Sequence, residues 1–144
     1  MSALEPRPGA DLYHAKLQGA DLAGKDLRGA NLALANLKDA NLKDAVLSEA
    51  FLFGAHLAGA DLTGAHLEAS DLSEADLFGA NLRGIQAEGA DFRRANLALA
   101  NLRGARLRGA VLRDANLNGA DLTDAQLEGA DLTGATLSEG ESPA

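Results

Sequence analysis

The stretch ANLALANLKDANLKDAVL, residues 30–47, repeats one pattern: Ala, then Asn or a replacement, then Leu, then two freer positions. The same five-residue block continues without insertion from Ala10 to Glu139, which gives 26 consecutive blocks. Leu occupies the third position in 24 of these blocks, and Ala occupies the first position in 23. A repeat of this length and regularity predicts one repetitive architecture for nearly the whole chain.

Neither an α-helix nor a flat β-strand accommodates a period of five. In a helix, five residues advance by about 500°, so successive leucines would lie roughly 140° apart and form no apolar face. In a flat strand, an odd spacing sends successive leucines to opposite faces. The pattern is satisfied when each block forms one side of a coil. Positions one and three then point to a common axis, and positions two, four and five point outward.

The exceptions to the pattern agree with this assignment. Ile85 and Ala87 exchange a small and a large residue within one block, which conserves volume in a packed interior. Phe92 follows in the next block and helps to fill the same space. Lys25 replaces Ala in an early block, where its charge can leave through the open end of the coil.

The turn chemistry also fits a coil. Gly stands at the fifth position of 14 blocks, including Gly19 and Gly64. A type II turn needs positive φ at its second central residue, and Gly adopts that conformation without strain. The other 12 blocks carry residues such as Asp39 and Glu49 there, which predicts that some turns are of another type.

The segments ADLTGA (60–65) and ANLRGA (100–105) resemble the pentapeptide-repeat family, whose pattern is A(D/N)LXX. The resemblance covers residues 10–139. It implies an all-β fold, a right-handed quadrilateral β-helix with four blocks per coil, and therefore about six and a half coils from the 26 blocks. We expect residues 1–9 to form an N-terminal segment that caps the coil, residues 10–139 a single β-helix, and residues 140–144 a C-terminal tail.

Composition limits the functions of the chain. It has 144 residues, no Cys and a formal net charge of -8. The lack of Cys excludes a disulfide framework, and the negative charge argues against nucleic-acid binding. The start of the chain lacks the apolar stretch of a signal peptide, and no run is long and apolar enough to span a membrane. We therefore expect a cytoplasmic protein that binds neither nucleic acid nor membrane.

Catalytic and metal sites are not expected. In the coil, His14, His56 and His66 fall on three different faces, so they cannot share an ion. The carboxylates stand outward on a convex rod, where no cavity excludes water to shift their pKa values. The sequence thus predicts no catalytic residue, no metal ligand and no cofactor, and the chain is not expected to be an enzyme.

Outward residues fall into columns with a period of 20 on four faces, whose blocks begin at residues 10, 15, 20 and 25. On the first face, an apolar cluster comprises Tyr13, Leu34, Phe51 and Phe53. On the second face, Phe78 and Leu99 form a smaller patch. Exposed aromatics in a chain with only 3% aromatic residues indicate an interface. The alternative is that stacking between neighbouring coils shields these side chains.

Charge is distributed in bands along the coil axis. From Asp44 to Asp76 there are seven acids and no Lys or Arg. The next segment contains an arginine belt of seven residues: Arg83, Arg93, Arg94, Arg103, Arg106, Arg108 and Arg113. The belt is either solvated on separate faces or steers a charged partner.

These features predict a structural or protein-interaction module whose partner is unknown. A homodimer, formed through one end of the coil or through the apolar cluster, is one expected assembly. The family resemblance implies an alternative function, because some pentapeptide-repeat proteins protect DNA gyrase from fluoroquinolones by mimicking duplex DNA. The net charge of -8 fits this alternative, whereas the arginine belt interrupts the acidic surface.

Overall fold

The chain winds into a coil in which each block pairs with the fourth block after it. The structure is a computed structural model that describes residues 5–138. Residues at position two pair in parallel from one coil to the next, as Asp11 does with Asn31 and Asn31 with Phe51. Because four blocks separate each residue from its partner, every coil has four sides. The fold is therefore an all-β, four-sided β-helix, as the repeat and the resemblance predict.

Each side of the coil is a very short extended segment. Two strands of two residues occur within the described chain, β1 (Asn116–Leu117) and β2 (Thr136–Leu137). They pair in parallel, with Asn116 opposite Thr136 and Leu117 opposite Leu137. The other described coils are joined by single parallel bridges. Because the chain turns after every block, no side grows longer.

Positions one and three form the interior. The stacked side chains of Leu32, Leu52 and Leu72 are 0% exposed. The exceptional residues obey the same rule, because Ile85, Ala87 and Phe92 are also completely buried, as their inward assignment predicts. Towards both ends of the described chain, inward leucines are only partly buried. Lys25, near the N-terminal end, is exposed, as predicted.

Hydrogen bonds between coils hold the backbone in register. At position three, the N–H of Leu32 donates to the carbonyl of Phe51 in the next coil at 2.7 Å. At position two, the N–H of Phe51 donates to Ala30 in the previous coil at 2.9 Å. The N–H of Ala35, at position one, closes the turn on Leu32 at 3.0 Å. Position five also donates to the next coil, so position four alone is left without a backbone acceptor.

The side chain at position two supplies the missing acceptor. In every described block with Asp or Asn there, Oδ1 accepts the N–H of position four at 2.9–3.2 Å. This arrangement is an Asx turn. The preference for Asp and Asn therefore has a structural cause, which the division into inward and outward positions does not reveal.

We expect Asn101→Ala to lower the free energy of unfolding by about 1 kcal/mol, because it removes the acceptor for the N–H of Arg103. Gln86→Ala is the matched control, since Gln86 also occupies position two and is half-buried, yet its side chain makes no such bond. The control is expected to change stability by less than about 0.5 kcal/mol. Urea unfolding measures both variants, and equal losses would contradict the Asx assignment.

The turns differ from the sequence prediction at the fifth position. Every described residue there has positive φ, whether or not it is Gly. Leu34 has φ 57° and Glu49 has φ 61°. The expectation that blocks without Gly avoid this conformation is therefore wrong. From His14 to Asp114 the fifth N–H donates to a carbonyl of the next coil, and in the block that follows it donates to a side chain of the next coil. This bonding accompanies the left-handed conformation, which costs a non-Gly residue about 1 kcal/mol or more.

Candidate interaction surface

The apolar cluster lies on the first face, in the three coils nearest the N-terminus. Tyr13, Phe51 and Phe53 are 52%, 54% and 41% exposed, whereas Leu34 is half-buried. The register between coils places Tyr13, Ala33 and Phe53 in one column along the rod. Leu34 is at the corner beside Ala33, and Phe51 is two residues before Phe53 on the same face. The structure thus brings the four predicted residues together.

Coil stacking explains why Leu34 differs from the rings. Its Cδ2 lies 2.6 Å from the point where a Cβ on Gly54 would stand, so Leu34 leans over the bare backbone of the next coil. A glycine at that point makes room for the leucine. Shielding between coils therefore accounts for Leu34, but it leaves the three aromatic side chains exposed.

The column contains a notch between two rings. Ala33 is the small residue between Tyr13 and Phe53, which stand two coil spacings apart, or about 10 Å. His14 packs edge-on against the Tyr13 ring, with ring centroids 4.5 Å apart and planes at 84°. This contact restrains one wall of the notch. Ala33 is partly exposed, and we call this low point of the column the notch.

Acidic residues lie on the first face around the apolar cluster, whereas Lys16 lies on the adjacent second face. The first-face blocks 10–14, 30–34, 50–54 and 70–74 contain no Lys or Arg. The acids nearest the cluster, which we call the acidic rim, are Asp11, Glu49, Asp71 and Glu74. Glu74 lies 3.5 Å from Nε of Arg94, while no Lys or Arg of the described chain pairs with Asp11 or Glu49. Within these four blocks the formally charged side chains are therefore all acidic.

The second-face patch is separate from the apolar cluster. Phe78 and Leu99 are 46% and 59% exposed, and Ala98 lies between them in the column of Phe78. Leu99 leans over Gly119 in the next coil, as Leu34 leans over Gly54. The patch lies on a different face and in later coils, so it does not extend the apolar cluster.

The arginine belt is largely compensated by acids. Five of its members form ion pairs: Arg93–Asp91 at 2.7 Å, Arg94–Glu74 at 3.5 Å, Arg103–Asp121 at 3.4 Å, Arg108–Glu128 at 3.3 Å and Arg113–Asp131 at 3.7 Å. Arg83 and Arg106 have no acidic partner among residues 5–138. The belt occupies the first, third and fourth faces. Each of these exposed ion pairs adds little to the stability of the fold. Electrostatic steering of a partner by the belt stays a prediction.

Several carboxyl groups have lowered pKa values. Hydrogen bonds from the side chain and backbone of Thr123 lower the pKa of Asp121, and Arg103 adds to the effect. Thr133 acts in the same way on the pKa of Asp131. For Asp91, burial acts to raise the pKa, but hydrogen bonds from Arg93 outweigh it and the net pKa is lowered.

These lowered pKa values predict a loss of stability in acid. A carboxyl group whose pKa is lower in the folded state stabilises the fold above its unfolded pKa, and this contribution disappears as the pH falls through the folded pKa. The melting temperature is therefore expected to fall once the pH drops below about 4, the ordinary Asp value. Thermal unfolding followed between neutral and acid pH tests this, and a melting temperature that rises on acidification would contradict it.

Metal-ligand clusters and membrane-spanning helices are both absent among the residues that the structure describes. Within residues 5–138, no three His, Cys, Asp or Glu residues are placed to hold a metal ion. His56 lies in the column of Asn36 and Asp76, and His66 lies in that of Val46 and Gln86. No helix in this part of the chain has the length and apolar character needed to cross a membrane.

A family model for pentapeptide repeats matches eight copies, at residues 10–48, 50–85, 70–109 and 100–138. The chain belongs to the pentapeptide-repeat family. Its solved structural neighbours are right-handed β-helices, as is this pentapeptide-repeat protein. The number of coils, about six and a half from the 26 blocks, stays a prediction.

Two solved structures illustrate the similarity. HetL from the cyanobacterium Nostoc sp. strain PCC 7120, a protein involved in heterocyst differentiation regulation, is 35% identical, with a TM-score of 0.51; the match covers 92% of this chain and 74% of HetL. A trypsin-treated variant of QnrB1, a plasmid-mediated fluoroquinolone resistance protein, is 21% identical, with a TM-score of 0.58, covering 90% and 71%. The second likeness shows the fold alone. No curated protein matches the chain significantly in sequence.

Proposed function

We propose that this pentapeptide-repeat protein is a non-enzymatic interaction module that binds another protein through its first face. The observation that carries the proposal is the exposure of Tyr13, Phe51 and Phe53 together on one face. A monomeric rod gains nothing from keeping three aromatic side chains in water, whereas a docking partner buries them. A cytoplasmic location is part of the same proposal.

The interior supports binding rather than catalysis. Leu and Ala side chains fill the axis of the coil, and those in the central coils are fully buried. Ligand sites in proteins are usually concave and exclude water from a few polar groups. The outer surface of this rod instead consists of flat β-faces and turns, a form suited to contact with a macromolecule.

Site-specific photo-crosslinking tests the proposal. A photoreactive phenylalanine analogue replaces Phe53, and the same analogue replaces Thr123, an exposed residue on the third face, as the control. We expect position 53 to form a crosslinked species with a protein in the native host, and position 123 to form none. Crosslinks of equal yield at both positions, or at neither, would refute the first face as a binding surface.

A DNA-mimic modulator of DNA gyrase is the second candidate function. Its support is the net charge of -8 on a rod with acids along its length. The compensated arginine belt weakens this reading, because it interrupts the acidic surface on three faces. A supercoiling assay distinguishes the candidates: an interaction module of the proposed kind neither inhibits gyrase nor protects it from a fluoroquinolone.

A further inference from the structure

We infer that the notch between Tyr13 and Phe53 receives one apolar side chain from an amphipathic helix of a partner protein, and that Lys or Arg residues flanking this side chain contact the acidic rim. This inference rests on the proposed function of the first face and adds the chemistry of the partner. The shape of the first face, the hydrogen bonding of its backbone and the charge of the acidic rim each support it.

The shape of the first face selects a single protruding side chain. Ala33 is the small, partly exposed residue of the column, and the aromatic residues on either side of it, Tyr13 and Phe53, are exposed. The two aromatic positions are about 10 Å apart along the rod axis, and we expect one knob residue to enter between them. The turns of a helix repeat at about 5.4 Å, so the side chains one turn before and after the knob would lie over the two rings.

The backbone of the rod favours a helix over an extended peptide. The ladder bonds of the coil run within its walls, and the side chains of Asp11 and Asn31 accept the N–H groups of position four on this face. An extended peptide lying on these side chains would leave its own backbone groups unpaired at the contact. A helix satisfies its backbone internally and can bury an apolar stripe without that cost.

The charge of the acidic rim favours basic residues on the partner helix. Asp11 and Glu49 have no basic partner in residues 5–138, and Asp71 lies in the coil after Phe51 and Phe53, where Glu74 is paired with Arg94. A helix with Lys or Arg beside its apolar stripe is complementary to this arrangement. A second copy docked on the same face about the notch would bring like charges together, so the rim disfavours a homodimer here.

The size of the surface agrees with one helix. The apolar cluster extends over three coils, about 10 Å from first to last, whereas a stable interface buries about 800 Å² on each partner. A single helix anchored in the notch needs less area than a second globular protein. The expected complex is therefore weak and depends on one central contact.

Peptide binding tests the shape of the notch. The probe is a fluorescein-labelled helical peptide of about five turns with Leu on one face, Lys on both flanks and Ala elsewhere, and its fluorescence anisotropy reports binding. Ala33→Leu fills the notch and is expected to weaken binding at least tenfold. Ala23→Leu is the matched control, because Ala23 also occupies position four but lies on the third face. The control is expected to bind as the wild type does, and circular dichroism shows that both variants are folded.

A second peptide tests the charge. Replacing each Lys of the probe by Glu is expected to weaken binding at least tenfold, and added salt is expected to weaken binding of the Lys peptide. Equal binding of the two peptides, or unchanged binding by Ala33→Leu, would overturn the inference. It would also be overturned if sedimentation showed a dimer that Ala33→Leu dissociates, because the occupant would then be a second copy. A crosslink at position 53 together with any of these results would leave the proposed function standing and remove only this inference.

Discussion

Leu72→Ala is expected to lower the free energy of unfolding by about 2–5 kcal/mol. Leu72 is completely buried in the central coils, between Leu52 and Phe92 of the same column. Its backbone N–H is fixed by the carbonyl of Asp91 at 2.7 Å, so the wall cannot easily collapse into the space that the side chain leaves. The loss of stability therefore has two parts. One is the lost free energy of transfer of the leucine side chain from water, and the other is the free-energy cost of the cavity.

Arg83→Ala is the control for this variant. Arg83 is exposed at position four and has no acidic partner in the described chain, so its removal is expected to change stability by less than about 0.5 kcal/mol. Urea denaturation of the wild type and the two variants gives the comparison. A loss of the same size in both would mean that positions three and four do not differ in burial, and the coil described here would be wrong.

Ala65→Lys is expected to prevent folding, whereas Lys25→Ala is expected to leave the protein folded and at least as stable as the wild type. The two residues occupy the same inward column, but Ala65 is 0% exposed and Lys25 is exposed near the end of the rod. An unpaired ammonium in the interior costs several kcal/mol, a large part of the roughly 5–15 kcal/mol that stabilises a domain.

Circular dichroism and size-exclusion chromatography measure this pair of variants. The β signal and compact elution of the wild type should disappear in Ala65→Lys and persist in Lys25→Ala. If Ala65→Lys folds with an unchanged melting temperature, the column does not point to a closed interior. If Lys25→Ala unfolds, the lysine has a structural role that its exposure does not explain.

The period of the sequence predicts most of this fold because the interior repeats with it. The regular spacing of Leu identifies the buried positions, including the exceptions Ile85 and Phe92, and the register between coils then gathers Tyr13, Phe51 and Phe53 on one face. Burial depends mainly on position within the block, and this information is local. The same reasoning predicts which side chains are available to a partner.

The repeat period does not predict the turn conformation at position five or the hydrogen-bond acceptors at position two. The left-handed backbone of Leu34 goes against the local preference of leucine and accompanies a bond to Phe53 in the next coil. The role of Asn101 becomes apparent only when every other backbone N–H has been given a partner. Both features depend on hydrogen bonds rather than on hydrophobic pattern. The strong bias towards Asp and Asn at position two was a signal of the second feature.

The ion pairs of the arginine belt can be predicted from the sequence only after the number of blocks per coil is known. Arg94 and Glu74 occupy equivalent positions of successive coils, and their charged groups are 3.5 Å apart. Their pairing follows from the register once four blocks are assigned to each coil. The band of positive charge visible in the sequence is therefore much weaker on the folded surface, where acids from adjacent coils stand beside most of the arginines.

The pairing of each block with the fourth block after it also determines how such a chain can change in length. Gain or loss of four consecutive blocks would keep all later side chains on their original faces, and would only lengthen or shorten the rod. Loss of a single block would still bury every leucine, yet it would rotate the whole downstream surface by a quarter turn. Deletions of one block can therefore change which outward residues share a face, while the leucines remain in the interior.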